Sequence, residues 1–548
     1  MTNAKRYGVL YGVVLAWILM ITFVPSVSSR SPQVAGGAEA GLQADPLAPV
    51  AQTLDESGLE TPTAEPSQVG ATRGPRGTRT PVGSVAVGSG VTRGGVPCAP
   101  GVAQLPNSQY SRQCVAHFNG DNGGATHSGV TKDRIRLAVR GVVEAGGGYE
   151  EYMKKYEPLL KYFQKSFELY GRRVDFEFFQ GQGSSYAEIT GKGEERACLD
   201  AAAIKQAGYF GVLAEFSEGS ITNETSAVFA KCAAREGLVV LNGPNWEPAD
   251  FYKQLHPYIW AYMMDCDKVA DHVATYVGRR LGKNNARLAG DPAYRSSPRR
   301  YGLYIPSNDG YQYCGDRLEN TLKSKYGIEL VARENYVLEI PLLPHQAANA
   351  AATFKDAGVT TLLMLCDIYS IAAMTHAAQS NEWGPEWIQS AVAGQDIVAN
   401  ARLYDQEVTH HHMFGMGMYG PNQKWFARDE EPTMMWRNAG VEDPTEVQVD
   451  RTLFWINVFN MMQSAGPVLT PTNFAAGLQN MPATGSADGV YGTWSFAGDH
   501  SRVEDLAEVG WDAHLPDWDG GRGTFVHSYN GSRFEAAEWP AEEPPLFR

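Results

Sequence analysis

The sequence predicts an α/β protein of two Rossmann-like lobes with parallel sheets, preceded by a long N-terminal extension. Three observations carry this. From Gly129 onward, short apolar runs alternate with segments of helical periodicity. The alternation runs through one series and begins again near Tyr301. Of the 548 residues, the 420 after Ser128 are too many for one core and suit two.

In chain order, Lys5 and Arg6 precede an apolar run from Val9 to Val24, followed by PSVSSRS. That is the charge, core and exit pattern of an export signal, with cleavage expected after about Ser29. A retained anchor is the other reading, because the run is just short of a spanning helix. Either way the rest of the chain is expected outside the cytoplasm. Residues Arg30 to Pro97 contain no Phe, Tyr or Trp. Such a segment cannot bury enough apolar area to offset its ordering entropy, and reads as a disordered spacer that acts as a membrane tether if the anchor stays. Cys98 and Cys114 bracket residues 98–128 at their start, where a local disulfide would contribute about 3 kcal/mol at best.

The first strand is expected at Ile135–Val139, where apolar residues alternate with Arg134 and Arg136. Met153, Tyr156, Leu160, Phe163 and Phe167 then form a helical stripe that ends near Tyr170-Gly171. Strand Val174–Phe179, a helix around Leu199–Ala207, strand Tyr209–Phe216, helix Thr222–Arg235 and strand Leu238–Leu241 complete the series. The second series is strand Tyr301–Pro306, helix Arg317–Lys325, strand Glu329–Ala332, helix Ala347–Ala357 and the strand TTLLMLC. Strands joined by helices of this length imply parallel sheets with right-handed crossovers, whose ligands sit beyond the carboxyl ends of the strands.

The formal net charge is −15. Residues 1–128 hold eight basic and seven acidic side chains, net +1, so the remainder carries −16. This argues against nucleic acid and against an anionic membrane surface as partners. Of seven cysteines, the five beyond Cys114 are too widely spaced for a zinc ribbon or a redox pair. Positions at neighbouring strand and helix ends predict Cys198–Cys232 and Cys314–Cys366, leaving Cys266 free.

The stretch GDNGGATHSGVTKDRIRLAV resembles the opening of mature type I periplasmic-binding proteins, the branched-chain amino acid-binding class of ABC transporter receptors. YVGRRLGKNNARLAGDP, FKDAGVTTLLMLCD, GPEWI and ARLYDQEVTHHHMFGMG extend the likeness from Gly120 to about Gly420. A weaker echo follows at VGWDAHLPDW and YNGSRFEAAEWP, and the nearer likeness is to large actinobacterial forms with N-terminal extensions. The resemblance implies lobes of residues 129–263 plus 420–490 and 264–419 plus 491–548, joined by three hinge crossings. These fall near Met263–Cys266, at MFGMGMYG and near Gly492–Gly498, with helices at Asn422–Asn438 and Thr445–Ser464 returning to the first lobe.

Candidate ligand-binding residues lie in the loops after the strands. Glu144 and Tyr149 follow the first strand, Ser217 and Glu218 the third, and Asn242 and Asn245 the fourth, beside Trp246. The second lobe supplies Asp309 and Tyr311, then Asp367, then Gln395 and Asp396; Asp396 stands about where the family keeps its ammonium-binding acid. This excess of acids favours a ligand bearing an amine or hydroxyl groups. His410-His411-His412, read as a strand, would offer an ion only His410 and His412, so no metal and no cofactor are expected. There is no G-x-S-x-G elbow, H-E-x-x-H or phosphate loop. The expected function is non-enzymatic capture of a small polar ligand by a monomer, for an ABC permease. The alternatives are an envelope-attached sensor without transport and a secreted hydrolase.

Overall fold

The computed structural model describes residues 90–548 apart from 218–219, 222–224, 420–429, 446–447, 450, 487–490, 518 and 548. The predicted export signal, the spacer up to residue 89 and the starts of the helices expected at Thr222 and Asn422 lie outside the described residues. No helix among the described residues is long and apolar enough to cross a membrane.

The first sheet is built from β1 (Arg134–Gly141), β2 (Arg173–Gln180), β3 (Gly211–Ser217), β4 (Val239–Gly243) and β5 (Ile259–Ala261). Their order is β2-β1-β3-β4-β5, all parallel, with Ser220–Ile221 folding back antiparallel on β3. The connecting helices are α1 (Tyr149–Ser166), α2 (Glu194–Gln206) and α3 (Ala227–Arg235). Strand β1 buries Leu137 and Val139 on one side and Ala138 and Arg140 on the other, as a parallel sheet covered on both faces requires. Helix α1 presents Tyr152, Tyr156, Leu159 and Phe163 to the core. The predicted Met153 and Leu160 flank that stripe and are only half-buried.

After α4 (Cys266–Thr275), the second series runs β6 (Tyr301–Pro306), α5 (Asp309–Tyr326), β7 (Leu330–Tyr336), α6 (Leu343–Asp356), β8 (Thr361–Met364), α7 (Ile368–Ser380), β9 (Glu386–Ser390) and β10 (Met413–Gly417). Its strand order, β7-β6-β8-β9-β10, repeats the 2-1-3-4-5 order of the first sheet. Helix α5 begins eight residues before the predicted start, at Asp309. It stops where Gly327 takes the left-handed conformation, φ 63°. The second sheet is not wholly parallel. After α8 (Glu431–Asn438), α9 (Thr452–Ser464) and α10 (Pro471–Gln479), the strands β11 (Leu506–Pro516) and β12 (Arg522–His527) add antiparallel at the β10 edge. Short β13 (Arg533–Phe534) pairs with β11.

The chain passes three times between the two sheets. It leaves β5 for α4, which packs on α5, and leaves β10 for α8 to α10, which return to α1 through Phe163–Phe459 and Tyr156–Trp436 ring contacts. Every residue of α9 is buried, consistent with a helix that is apolar on most sides. The third passage runs from α10 to β11. There Gly492 has φ 68°, and a Cβ would meet Asp505 Oδ1 at 2.0 Å, so only glycine fits.

The N-terminal clasp begins earlier than predicted. Gly90–Val91 pairs antiparallel with Pro97–Cys98, so residues 90–97 belong to the folded part rather than to the spacer. The clasp also does more than end the spacer. Tyr110 Oη accepts a 2.7 Å hydrogen bond from Tyr491 N–H, and Arg112 N–H donates to Asn460 Oδ1 at 2.9 Å. It is therefore seated on α9 and on the third passage.

The disulfides are Cys98–Cys114, Cys198–Cys232 and Cys266–Cys314, with Cys366 a buried free thiol. The expected Cys314–Cys366 pair is thus corrected. Cys314 lies on α5, whose neighbour α4 begins with Cys266, at a Cα–Cα distance of 5.7 Å for the clasp and 5.5 Å for this pair. Cys366 instead follows β8, with a thiol that full burial holds well above its ordinary range.

Candidate functional site

In an open sheet of order 2-1-3-4-5, the connections leaving strands 1 and 3 run to opposite faces, and a crevice opens beyond their carboxyl ends. The molecule has two such points: after β1 and β3, and after β6 and β8. Four of the predicted residues stand at them, namely Glu144, Ser217, Asp309 and Asp367.

Glu144 accepts hydrogen bonds from Ser184 Oγ and, at 3.2 Å, from Ser185 N–H, which ties the loop after β1 to the loop after β2. Ser217 ends β3 opposite Ser220. Glu218 lies outside the described residues. Asp309 is exposed in the first turn of α5, next to the N-cap Asn308, and Tyr311, two residues on, is half-buried. Asp367 is the N-cap of α7. It accepts from Tyr369 N–H and Ser370 N–H at 2.9 and 3.0 Å and from Tyr336 Oη at 2.5 Å, which makes it a helix cap first.

Beneath the first switch point lies a charged cluster that the sequence reading missed. Arg140, the last inward residue but one of β1, is fully buried. Its guanidinium meets Glu188 at 2.5 Å, Asp200 at 2.8 Å and Glu215 at 3.6 Å. Its face stacks over Phe229, 4.2 Å from the ring centroid. Three carboxylates share one cation, and burial raises Glu215 to about 7. Ser185 Oγ donates to Glu215 and Ser226 Oγ to Glu188, so the network fixes the short helix Ser185–Ile189 and the start of α3. Its one sequence signal is that Arg140 continues the Arg134, Arg136 alternation into the end of the strand.

Other predicted residues turn out to sit at the passages between the sheets. Asn245 Oδ1 accepts from Met263 N–H at 2.9 Å, on the first passage. Asp396 is fully buried and accepts from Tyr419 N–H at 2.7 Å, on the second, and burial raises its carboxyl to about 7. Asp396, a candidate ligand-binding residue from the sequence, is thus an internal group. Gln395 is likewise internal, donating to Met364 O and Cys366 O. Tyr149 opens α1, and its hydroxyl donates to Phe176 O at 3.1 Å while its ring stacks on Phe178. Asn242, at the end of β4, is fully buried, and neither of its amide atoms has a hydrogen-bond partner among the described residues.

The two lobes meet beside this region. Asn308 Nδ2 donates to Ile189 O, and Cys314 Sγ lies 3.7 Å from Trp246 O. Exposed apolar side chains stand in the same loops: Val143 after β1, Tyr186 and Ile189 after β2, and Tyr369 after β8. Two shallow grooves, of about 670 and 420 Å³, run along the outer side of α1 and contain none of these candidate residues.

His410-His411-His412 is a turn rather than a strand, with His411 at φ 62°. From β11 come two other side chains that could share an ion with this turn: His410, Asp512 and His514 come together, and His412 is not among them.

No family model matches the sequence, and no curated protein matches it. Among solved structures, it is similar to an ABC transporter substrate-binding protein from Desulfitobacterium hafniense in complex with Leu. The identity is 12% and the TM-score 0.46, over 72% of this chain and 100% of that one. A solute-binding protein of an ABC transporter from R. palustris, in complex with 4-hydroxybenzoate, has 11% identity and a TM-score of 0.48, over 75% and 98%. A leucine-, isoleucine-, valine-, threonine- and alanine-binding protein from Brucella ovis, in its closed conformation, has 14% identity and a TM-score of 0.47, over 74% and 98%. Each of these three likenesses covers most of the chain.

Proposed function

We propose that the chain is an extracytoplasmic solute-binding protein that captures a small polar ligand between its lobes and hands it to an ABC permease. The lobes are residues 129–263 with 420–490 and residues 264–419 with 491–548, and the chain works as a monomer tethered or released through its N-terminal segment. It binds its ligand without transforming it. The observation that carries the reading is the pair of switch points, one in each 2-1-3-4-5 sheet, with Asn308 of the loop after β6 bonded to Ile189 O in the neighbouring segment after β2. The loops at and beside them carry carboxylates (Glu144, Asp309) and exposed apolar side chains (Tyr186, Tyr369). That mixture fits an amine- or hydroxyl-bearing ligand with an apolar part. Asn242 adds a buried amide that a ligand would satisfy.

A thermal-shift screen of the full chain against amino acids, polyamines, sugars and aromatic acids tests this. The expected result is a concentration-dependent rise in Tm for one chemical class, as mass action requires. No shift with any class would count against capture of a small solute.

A further inference from the structure

At the pole of the second lobe opposite the cleft, three metal-ligating side chains converge from segments about a hundred residues apart. His410 lies in the turn that leads into β10, hence at the amino end of that strand. Strand β11 runs antiparallel beside it, pairing Gly510 with Phe414, so its later residues reach the same end. Asp512 and His514 are two apart near the end of β11. One donor atom from each of His410, Asp512 and His514 lies within 4.8 Å of the others.

We propose that His410, Asp512 and His514 bind one divalent transition-metal ion of the zinc class. The donor set, two imidazoles and a carboxylate, suits such ions and leaves a position open to water. His410 Nδ1 and Asp512 Oδ1 are 3.5 Å apart. Two ligands with bonds of about 2.0–2.1 Å to a tetrahedral ion stand about 3.4 Å apart, so this edge is already near the required length. The Nδ1 lone pair that accepts a 3.2 Å bond from Ala513 N–H is the one an ion would take. The carboxylate is held in place from both sides. Asp512 Oδ1 accepts from His514 N–H and Leu515 N–H at 2.9 and 3.1 Å, and His411 Nε2 lies 2.8 Å from Oδ2. His411 thus positions a ligand, the usual task of a group one step removed from a metal. His514 is exposed and its ring lies 4.0 Å from that of His410. Since the site clamps β10, the strand that leads into the second passage, to β11, its occupancy would stabilise the second lobe.

The test is a Zn²⁺ titration by calorimetry on the full chain, purified without a polyhistidine tag. Parallel melting curves are taken with and without Zn²⁺. One equivalent should bind and raise Tm, with affinity weakened at least tenfold in His514→Ala and in Asp512→Asn. His345→Ala, an exposed histidine elsewhere, should bind as the parent does. His514 is exposed, so its variant should fold. Absence of a one-to-one isotherm in the parent, or unchanged affinity in both site variants, would overturn the proposal.

Discussion

The two lobes share a strand order but support their switch points by opposite means. Under β1 and β3 the first lobe buries one guanidinium among three carboxylates. Under β6 and β8 the second lobe stacks Tyr304 on Tyr336, with ring centroids 4.7 Å apart, and lets Tyr336 Oη donate to the cap Asp367. A topology thus fixes where a ligand loop stands and leaves open what holds it there. A charged network fixes loops directionally but leaves costly groups behind when one member is lost, whereas stacked rings tolerate small changes.

Arg140→Met should have the largest effect. Three buried carboxylates would lose their only cation among the described residues, and stability should fall by about 3–5 kcal/mol in urea unfolding. A loss below about 1 kcal/mol would mean the cluster is wetter than its burial indicates.

Glu215→Gln sharpens the same contrast through pH. Glu215 rises from 4.5 to about 7 on folding. Between those values the folded state holds a proton that the unfolded state has released, so this group's contribution to stability falls as pH rises. The variant should remove up to about 3 kcal/mol of that fall between pH 4.5 and 7.5. Buried His272, lowered to about 4, acts in the opposite direction below pH 6.5, so the difference between parent and variant curves is the quantity to read.

Asp396→Ala probes the second passage. It leaves Tyr419 N–H without its acceptor in a fully buried site and should cost about 1–3 kcal/mol in stability. An effect on ligand affinity alone, with stability unchanged, would return Asp396 to the role of direct ligand contact. The smallest effect is expected in the second lobe: the Tyr304 hydroxyl is buried with no hydrogen-bond partner among the described residues. Tyr304→Phe should therefore leave stability within about 1 kcal/mol of the parent, or raise it.

Much of the fold was legible because strand and helix periodicities are local properties. Tyr301–Pro306 was read to the residue, and Gly327 and Gly358 mark real helix ends. The start of α5 was not legible, because NDGYQYCGD carries two glycines and no apolar stripe, and its helical state depends on α4 packing against it. Cys266–Cys314 follows from that same packing, which no spacing rule contains. The candidate site was half legible. The loops after the strands were located, but whether an acid there faces a ligand, caps a helix (Asp367) or holds a hinge (Asp396) depends on partners distant in sequence. Arg140 and the His410–Asp512–His514 group were hidden for that reason.

If a polar solute is captured between the two switch points, Asn242 is the residue whose loss should show it most directly. Asn242→Leu keeps the branched heavy-atom outline of the side chain and removes an amide that has no partner among the described residues, so the free protein should melt at or above the parent Tm. Calorimetry with the solute that gives the largest thermal shift should then show Kd weakened by about tenfold or more, the worth of one buried hydrogen bond. A lower Tm with an unchanged Kd would contradict the account, placing Asn242 in the structural core and the ligand elsewhere.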